Sequence, residues 1–209
     1  MKTRPGFPAV ARPASLKVTR PTTLSGLVVP EAPMWTKGDE WSFSWEGPAG
    51  RGTFTWKVDR EEVLDGVEHY VVRSGTREFF YRKSDLAFSQ ETVQGTVVTR
   101  STPSQVRYVW PLAVGAAWEQ TFRRGKEPDR QVHPRVDAVA VEGEETVTVP
   151  AGTFRTLKIV YRAPATNAVY YEPWYAPDVG MFVRDREQRQ DGLRARELRA
   201  FRRASKQSE

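Results

Sequence analysis

The chain holds few residues equipped for covalent chemistry, and their spacing suits it poorly. His69 and His133 are the only two histidines, and cysteine is absent. A cysteine nucleophile, a disulfide scaffold and a cysteine-ligated zinc site are therefore excluded. His69 stands beside Tyr70 in a strand-like run, and His133 precedes Pro134 in a loop-like one. Neither has a neighbour at metal-ligand spacing, so both read as structural or solvated side chains. Paired carboxylates occur at Glu61-Glu62 and Glu144-Glu145. Adjacent strand positions point to opposite faces, so neither pair can share one site through its side chains. There is no Gly-x-Ser-x-Gly elbow, phosphate loop or dinucleotide fingerprint. The expectation is a protein that is not an enzyme and that uses no metal and no cofactor.

Aromatic residues are the stronger signal. Seven tryptophans accompany the cluster Tyr170-Tyr171-Glu172-Pro173-Trp174-Tyr175. A large aromatic buries ~150–250 Å² and usually anchors a core. Trp41, Trp56 and Trp118 are read that way. Tyr170, Tyr171, Trp174 and Tyr175 are too dense for simple alternation to send all of them into one core. They are the candidate ligand-binding residues.

The elements that position them are strands. Trp41, Phe43 and Trp45 alternate with Ser42 and Ser44; Phe54, Trp56 and Val58 alternate with Thr55 and Lys57. Val147 and Val149 alternate with Thr146 and Thr148, and Leu157, Ile159 and Tyr161 with Lys158 and Val160. A period of two places one set of side chains on each face of a sheet. Turn pairs such as Asp65-Gly66, Gln94-Gly95 and Asp191-Gly192 separate these runs. Glycine supplies the positive φ that tight hairpins need. The tract from Leu193 to Arg203 has a helix-like composition, but it follows a hairpin turn and reads as a returning strand. The predicted fold is all-β: a curved antiparallel meander, half-barrel or barrel-like.

Charge is uneven along the chain. The net charge of +6 arises from 32 basic and 26 acidic residues. Residues 1–34 carry five bases and one acid, and residues 181–209 also lean basic, while the body between is close to neutral. A nucleic-acid surface would place its basic stripe on the folded face, so no nucleic-acid partner is expected. Basic ends could still make peripheral contact with an anionic membrane. Residues 1–34 are rich in proline and arginine without a sustained period, and are expected to form a flexible extended tail. Lys2 and Arg4 resemble the start of a secretion signal, but no apolar stretch of 7–15 residues follows. One β domain is expected over 35–203, with a frayed tail at 204–209. Within it, Gly38–Trp41 echoes Gly115–Trp118, and Tyr81-x-x-x-Asp85-Leu86 echoes Trp174-x-x-x-Asp178-Val179. The offsets only grow along the chain, which suggests two pseudo-repeats, 35–103 and 104–203, with a seam near 104–114.

Four segments carry a family resemblance. They are Trp35-x-x-Gly38-Asp39-Glu40-Trp41, Pro111-Leu112-x-Val114-Gly115-x-x-Trp118, Glu145-x-Val147-x-Val149-Pro150-Ala151-Gly152-Thr153-Phe154 and Trp174-Tyr175-Ala176-Pro177-x-Val179-Gly180. Their order resembles uncharacterised exported bacterial β-proteins whose half-barrel is similar to that of periplasmic lipoprotein carriers. The resemblance covers about 35–202. It implies a periplasmic or envelope location and an apolar ligand or a hydrophobic envelope partner held on the curved sheet. The alternative is a glycan-binding or protein-assembly module that uses exposed aromatics as stacking platforms.

Overall fold

The computed structural model describes residues 15–22, 24–126 and 131–204. The expected fraying at 205–209, and the first fourteen residues of the expected tail, lie outside the described residues. The described chain is all β. In order it forms β1 (Leu16–Thr19), β2 (Glu40–Gly47), β3 (Gly50–Leu64), β4 (Val67–Ser74), β5 (Arg77–Arg82), β6 (Phe88–Val93) and β7 (Thr96–Gln105). Then follow β8 (Ala117–Lys126), β9 (Gln131–Val149), β10 (Gly152–Ala163), β11 (Ala168–Ala176), β12 (Met181–Arg189) and β13 (Gly192–Arg202). The Leu193–Arg203 tract is thus a strand.

Each strand pairs antiparallel with its neighbour in sequence from β2 to β13. The last strand, β13, then pairs with β2, Arg202↔Glu40 through Ala195↔Glu46. Twelve strands therefore close a ring. The meander is a full barrel rather than an open half-barrel. The cause is local: Phe43 on β2 and Leu198 on β13 are cross-strand partners, both wholly buried. Zipping these edges removes the exposed ladder groups that an open sheet leaves.

The predicted alternation holds where it was clearest. Trp41, Phe43, Trp56, Val58, Leu157, Ile159 and Tyr161 all join the interior cluster. The Asp65-Gly66 turn takes left-handed backbone at both residues, φ 52 and 79, which suits the twist of a two-residue hairpin.

The chain expected as a free tail is docked at β1 and again at Val29. β1 pairs with β8, Leu16↔Gln120 to Thr19↔Ala117. Val29 exchanges two backbone hydrogen bonds with Leu112, at 2.9 and 2.8 Å. The physical reason is an unsatisfied edge. β7 pairs with β8 only from Thr99↔Lys126 to Thr102↔Arg123, and β1 supplies partners for the rest.

Because consecutive strands alternate in direction, the connections sort by end. The short hairpins β2–β3, β4–β5, β6–β7 and β12–β13 share one end. The long β7–β8 connection, the segment entering β2 and the segment leaving β13 share the other. That second end is capped. Trp35 and Trp41 donate their indole N–H groups to the carbonyls of Gly180 and Val179, at 3.0 and 3.2 Å.

Candidate functional site

The barrel interior contains the densest convergence of aromatic and polar groups. On β11 the inward positions are Tyr171 and Tyr175. Tyr170 joins them through a β-bulge. The register with β10 passes from Tyr161↔Tyr171 directly to Arg162↔Val169, which leaves Tyr170 without a partner. A bulge resets the parity of a strand, so two neighbours can face the same side. Trp174 points the other way. Its ring lies under Lys158 and Arg186, with Nζ and Cζ 5.3 and 5.6 Å from the centroid. Its N–H donates to Glu145 Oε2 at 2.8 Å. The four candidate residues are therefore split, three inside and one covered on the outer wall.

The three inner hydroxyls have different surroundings. Tyr170 donates to Asp137 Oδ1 at 2.7 Å, and Tyr171 to Asp185 Oδ2 at 3.0 Å. The Tyr175 hydroxyl is buried without a partner. Burial pushes the phenols of Tyr161, Tyr170 and Tyr171 well above the ordinary tyrosine range, with the carboxylates of Asp137 and Asp185 adding to the shift. They act as neutral donors at physiological pH.

Asp185 is matched by Arg196. Nε donates to Oδ1 at 2.8 Å, and the second guanidinium nitrogen closes a bidentate pair with Oδ2. Burial opposes the charge on Arg196, but Asp185 outweighs it and holds the guanidinium protonated. The cation also stacks on Phe182 and Trp56, at 4.9 and 5.7 Å.

The segment 106–112 crosses this interior. Tyr161, on β10, donates its hydroxyl to the Arg107 carbonyl at 2.6 Å. The Arg107 guanidinium lies 5.8 Å from the Tyr81 ring and 5.5 Å from the Phe88 ring, on β5 and β6. One residue thus touches walls that lie far apart around the barrel. Tyr108 packs on Tyr175 at 5.2 Å, and Trp110 on Tyr108 at 5.6 Å. The space left beside Trp35, Trp56, Tyr81, Arg107, Tyr108 and Phe182 is ≈ 10 Å³. That is about the minimum for one water molecule. The expected open concave face is filled by the chain's own residues.

Arg107 is half-buried, and its Nε is enclosed without an acceptor. Among the described residues it forms no ion pair. Arg124 approaches the same Phe88 ring at 5.3 Å. Its pKa is lowered, first by burial and then by repulsion from Arg107. Two cations therefore meet at one aromatic ring inside the barrel.

Sequence reasoning missed Arg107, Tyr108, Asp137, Asp185 and Arg196. A signal existed for two of them. Asp137 sits among Val136, Ala138 and Val139, and Asp185 follows Met181-Phe182-Val183. An acid at an inward position of an apolar strand demands a buried partner. Nothing in the local sequence shows that 106–112 enters the barrel. His69 has a structural role, with its ring nitrogens 2.8 Å from the Val67 carbonyl and 2.7 Å from Ser89 Oγ.

A family model described as DUF3108-like matches residues 127–193. No curated protein matches. One similar solved structure is a candidate exported protein with a YmcC-like fold from Bacteroides fragilis, 15% identical, with a TM-score of 0.44. The match covers 84% of this chain and 99% of that one. Another is a candidate lipoprotein from Parabacteroides distasonis, 17% identical, with a TM-score of 0.41, covering 83% and 99% of the two chains. These are uncharacterised bacterial proteins, the kind that the sequence resembles.

Proposed function

We propose that this chain is a non-enzymatic protein of the cell envelope that binds an apolar molecule with an acidic head in its aromatic interior. Segment 106–112 is the element that moves to admit the ligand. The envelope location follows the resemblance to exported bacterial β-proteins. One observation carries the binding reading: Arg107, a cation set among aromatic rings, lies on the segment that fills the barrel and has no carboxylate partner among the described residues. An enclosed donor without an acceptor costs free energy. Gln105 Oε1 and the Tyr175 hydroxyl, beside and against the same segment, are also unpartnered. An amphiphile would give Arg107 its anion, while its chain replaces Tyr108 and Trp110 against Tyr175.

Stacking of glycans has less support. Tyr170, Tyr171 and Tyr175 face inward, and Trp174 is covered by Lys158 and Arg186.

The test is titration with a fluorescent fatty acid, together with solvent extraction and mass spectrometry of the purified protein. Saturable binding is expected. Arg107→Met should weaken binding of the acid about tenfold while leaving that of the matching fatty alcohol unchanged. Finding neither extracted lipid nor probe binding would overturn the proposal.

A further inference from the structure

Strand β8 has more edge than β7 uses. Their ladder ends at Thr102↔Arg123, and β7 then stays with β6, where Gln105 pairs with Phe88. The edge from Ala117 to Gln120 is covered by β1 alone. The twelve-strand ring is complete without β1, because β13 pairs with β2 and β9 with β8. β1 is also lightly held. All four of its residues are exposed, and Lys17 reaches Glu119 at 3.6 Å with side chains 77% and 43% exposed. Such a pair contributes little in water.

Beside β1, on the outer wall, lies an open trough of ≈ 370 Å³. The register explains it. Thr19 is partnered with Ala117, and Ala117 with Ala140; Lys17 is partnered with Glu119, and Glu119 with Ala138. Three alanines form the floor, and Lys17, Thr19, Glu119 and Arg162 form the rim. The outward side chains of β1 leave the floor uncovered.

We propose that this edge of β8 is a strand-accepting site for an extended segment of another polypeptide, with β1 as its displaceable occupant. The fitting strand runs antiparallel to β8. It carries a basic residue facing Glu119 and a large apolar residue at the place of Thr19, over Ala117 and Ala140. Backbone hydrogen bonds supply affinity in such strand addition, and pockets for alternate side chains supply specificity. The inference is independent of the interior site.

The test uses the full chain and a fluorescein-labelled peptide of residues 13–21, in its native form and with Thr19→Phe, followed by fluorescence anisotropy. The Phe peptide should bind at least about tenfold more tightly than the native one. Glu119→Lys should weaken it about threefold, and a peptide that also carries Lys17→Glu should recover the loss. The chain has no cysteine, so Thr19→Cys with Ala117→Cys can lock β1 in place. Oxidation should abolish peptide binding, and reduction should restore it. Equal affinity for the two peptides, no binding, or binding indifferent to both the lock and the charge swap overturns the proposal. Fatty-acid titration of the same preparations reports on the interior, so either proposal can fail alone.

Discussion

Two seams of the barrel are built by different means. At the first, β2 pairs with β3 in unbroken register from Glu40↔Lys57 to Gly47↔Gly50, and β13 zips onto the other edge of β2. Behind that ladder Phe43 stacks on Phe54 and Phe182, at 5.3 and 4.8 Å. The buried Asp39 fastens the end of the seam by accepting from the Ala204 N–H at 2.7 Å. At the second, β7 and β8 share only four residue pairs before they part. Side chains take over from there. The Gln120 amide accepts from the Val106 N–H and donates to the Val106 carbonyl, both at 2.8 Å. Gln120 and Gln105 both donate to Asp137 Oδ2, at 3.2 and 2.8 Å, and Tyr170 donates to its other oxygen. The first seam is backbone and grease. The second is a polar staple in which one glutamine imitates a strand.

The difference has consequences for stability. A ladder backed by apolar packing fails with the whole fold. A staple fails locally, because each of its groups depends on a partner that water cannot easily replace.

The largest expected effect lies at the first seam. Phe43→Ala should destabilise the protein by about 3–5 kcal/mol, since Phe43 is wholly buried between two rings. Urea denaturation reads the loss, and amide exchange should quicken across the entire barrel. Exchange confined to β2 and β3 would break the contrast.

Gln120→Leu should come next, at about 1–3 kcal/mol, because it strands the Val106 backbone groups and takes one donor from Asp137. Ser42→Ala is the control at the first seam, where an exposed Ser42–Thr55 contact is lost, and it should be close to neutral. Faster amide exchange after Gln120→Leu should be confined to the region of 104–122. If the two variants cost the same, the staple adds nothing to the second seam.

The effect that needs the most extreme condition is alkaline. The folded-state pKa of Tyr170 is raised above the ordinary 10.0, first by burial and then by Asp137. A raised folded value means that this contribution is complete below about pH 10 and is lost as pH climbs past it. The loss should be about 1.4 kcal/mol per pH unit for each such tyrosine. Tyrosinate absorbance should therefore rise together with amide exchange in β8, β9 and β11, ahead of β2 and β3. Tyr170→Phe should lessen this onset by the share of one tyrosine, and simultaneous opening of both seams would argue against the division.

Much of the first seam was legible in the sequence. Trp41, Phe43, Phe54 and Trp56 announce two amphipathic strands, and Asp65-Gly66 announces the turn that ends the second of them, because period and turn chemistry are local properties. The second seam was not legible. Gln105, Gln120 and Asp137 look like ordinary polar residues until the fold sets them side by side.

What the sequence by itself determined is the all-β character, the strand periods and the aromatic investment in a core. What only the tertiary structure decided is closure, the bulge that turns Tyr170 inward beside Tyr171, the path of residues 106–112 through the barrel and the docking of β1 on β8. The reason is physical. Alternation and turns follow from each residue and its immediate neighbours. Ring closure, a parity reset and the capture of a spare edge depend on which backbone groups remain unpaired after every other strand has found its partner.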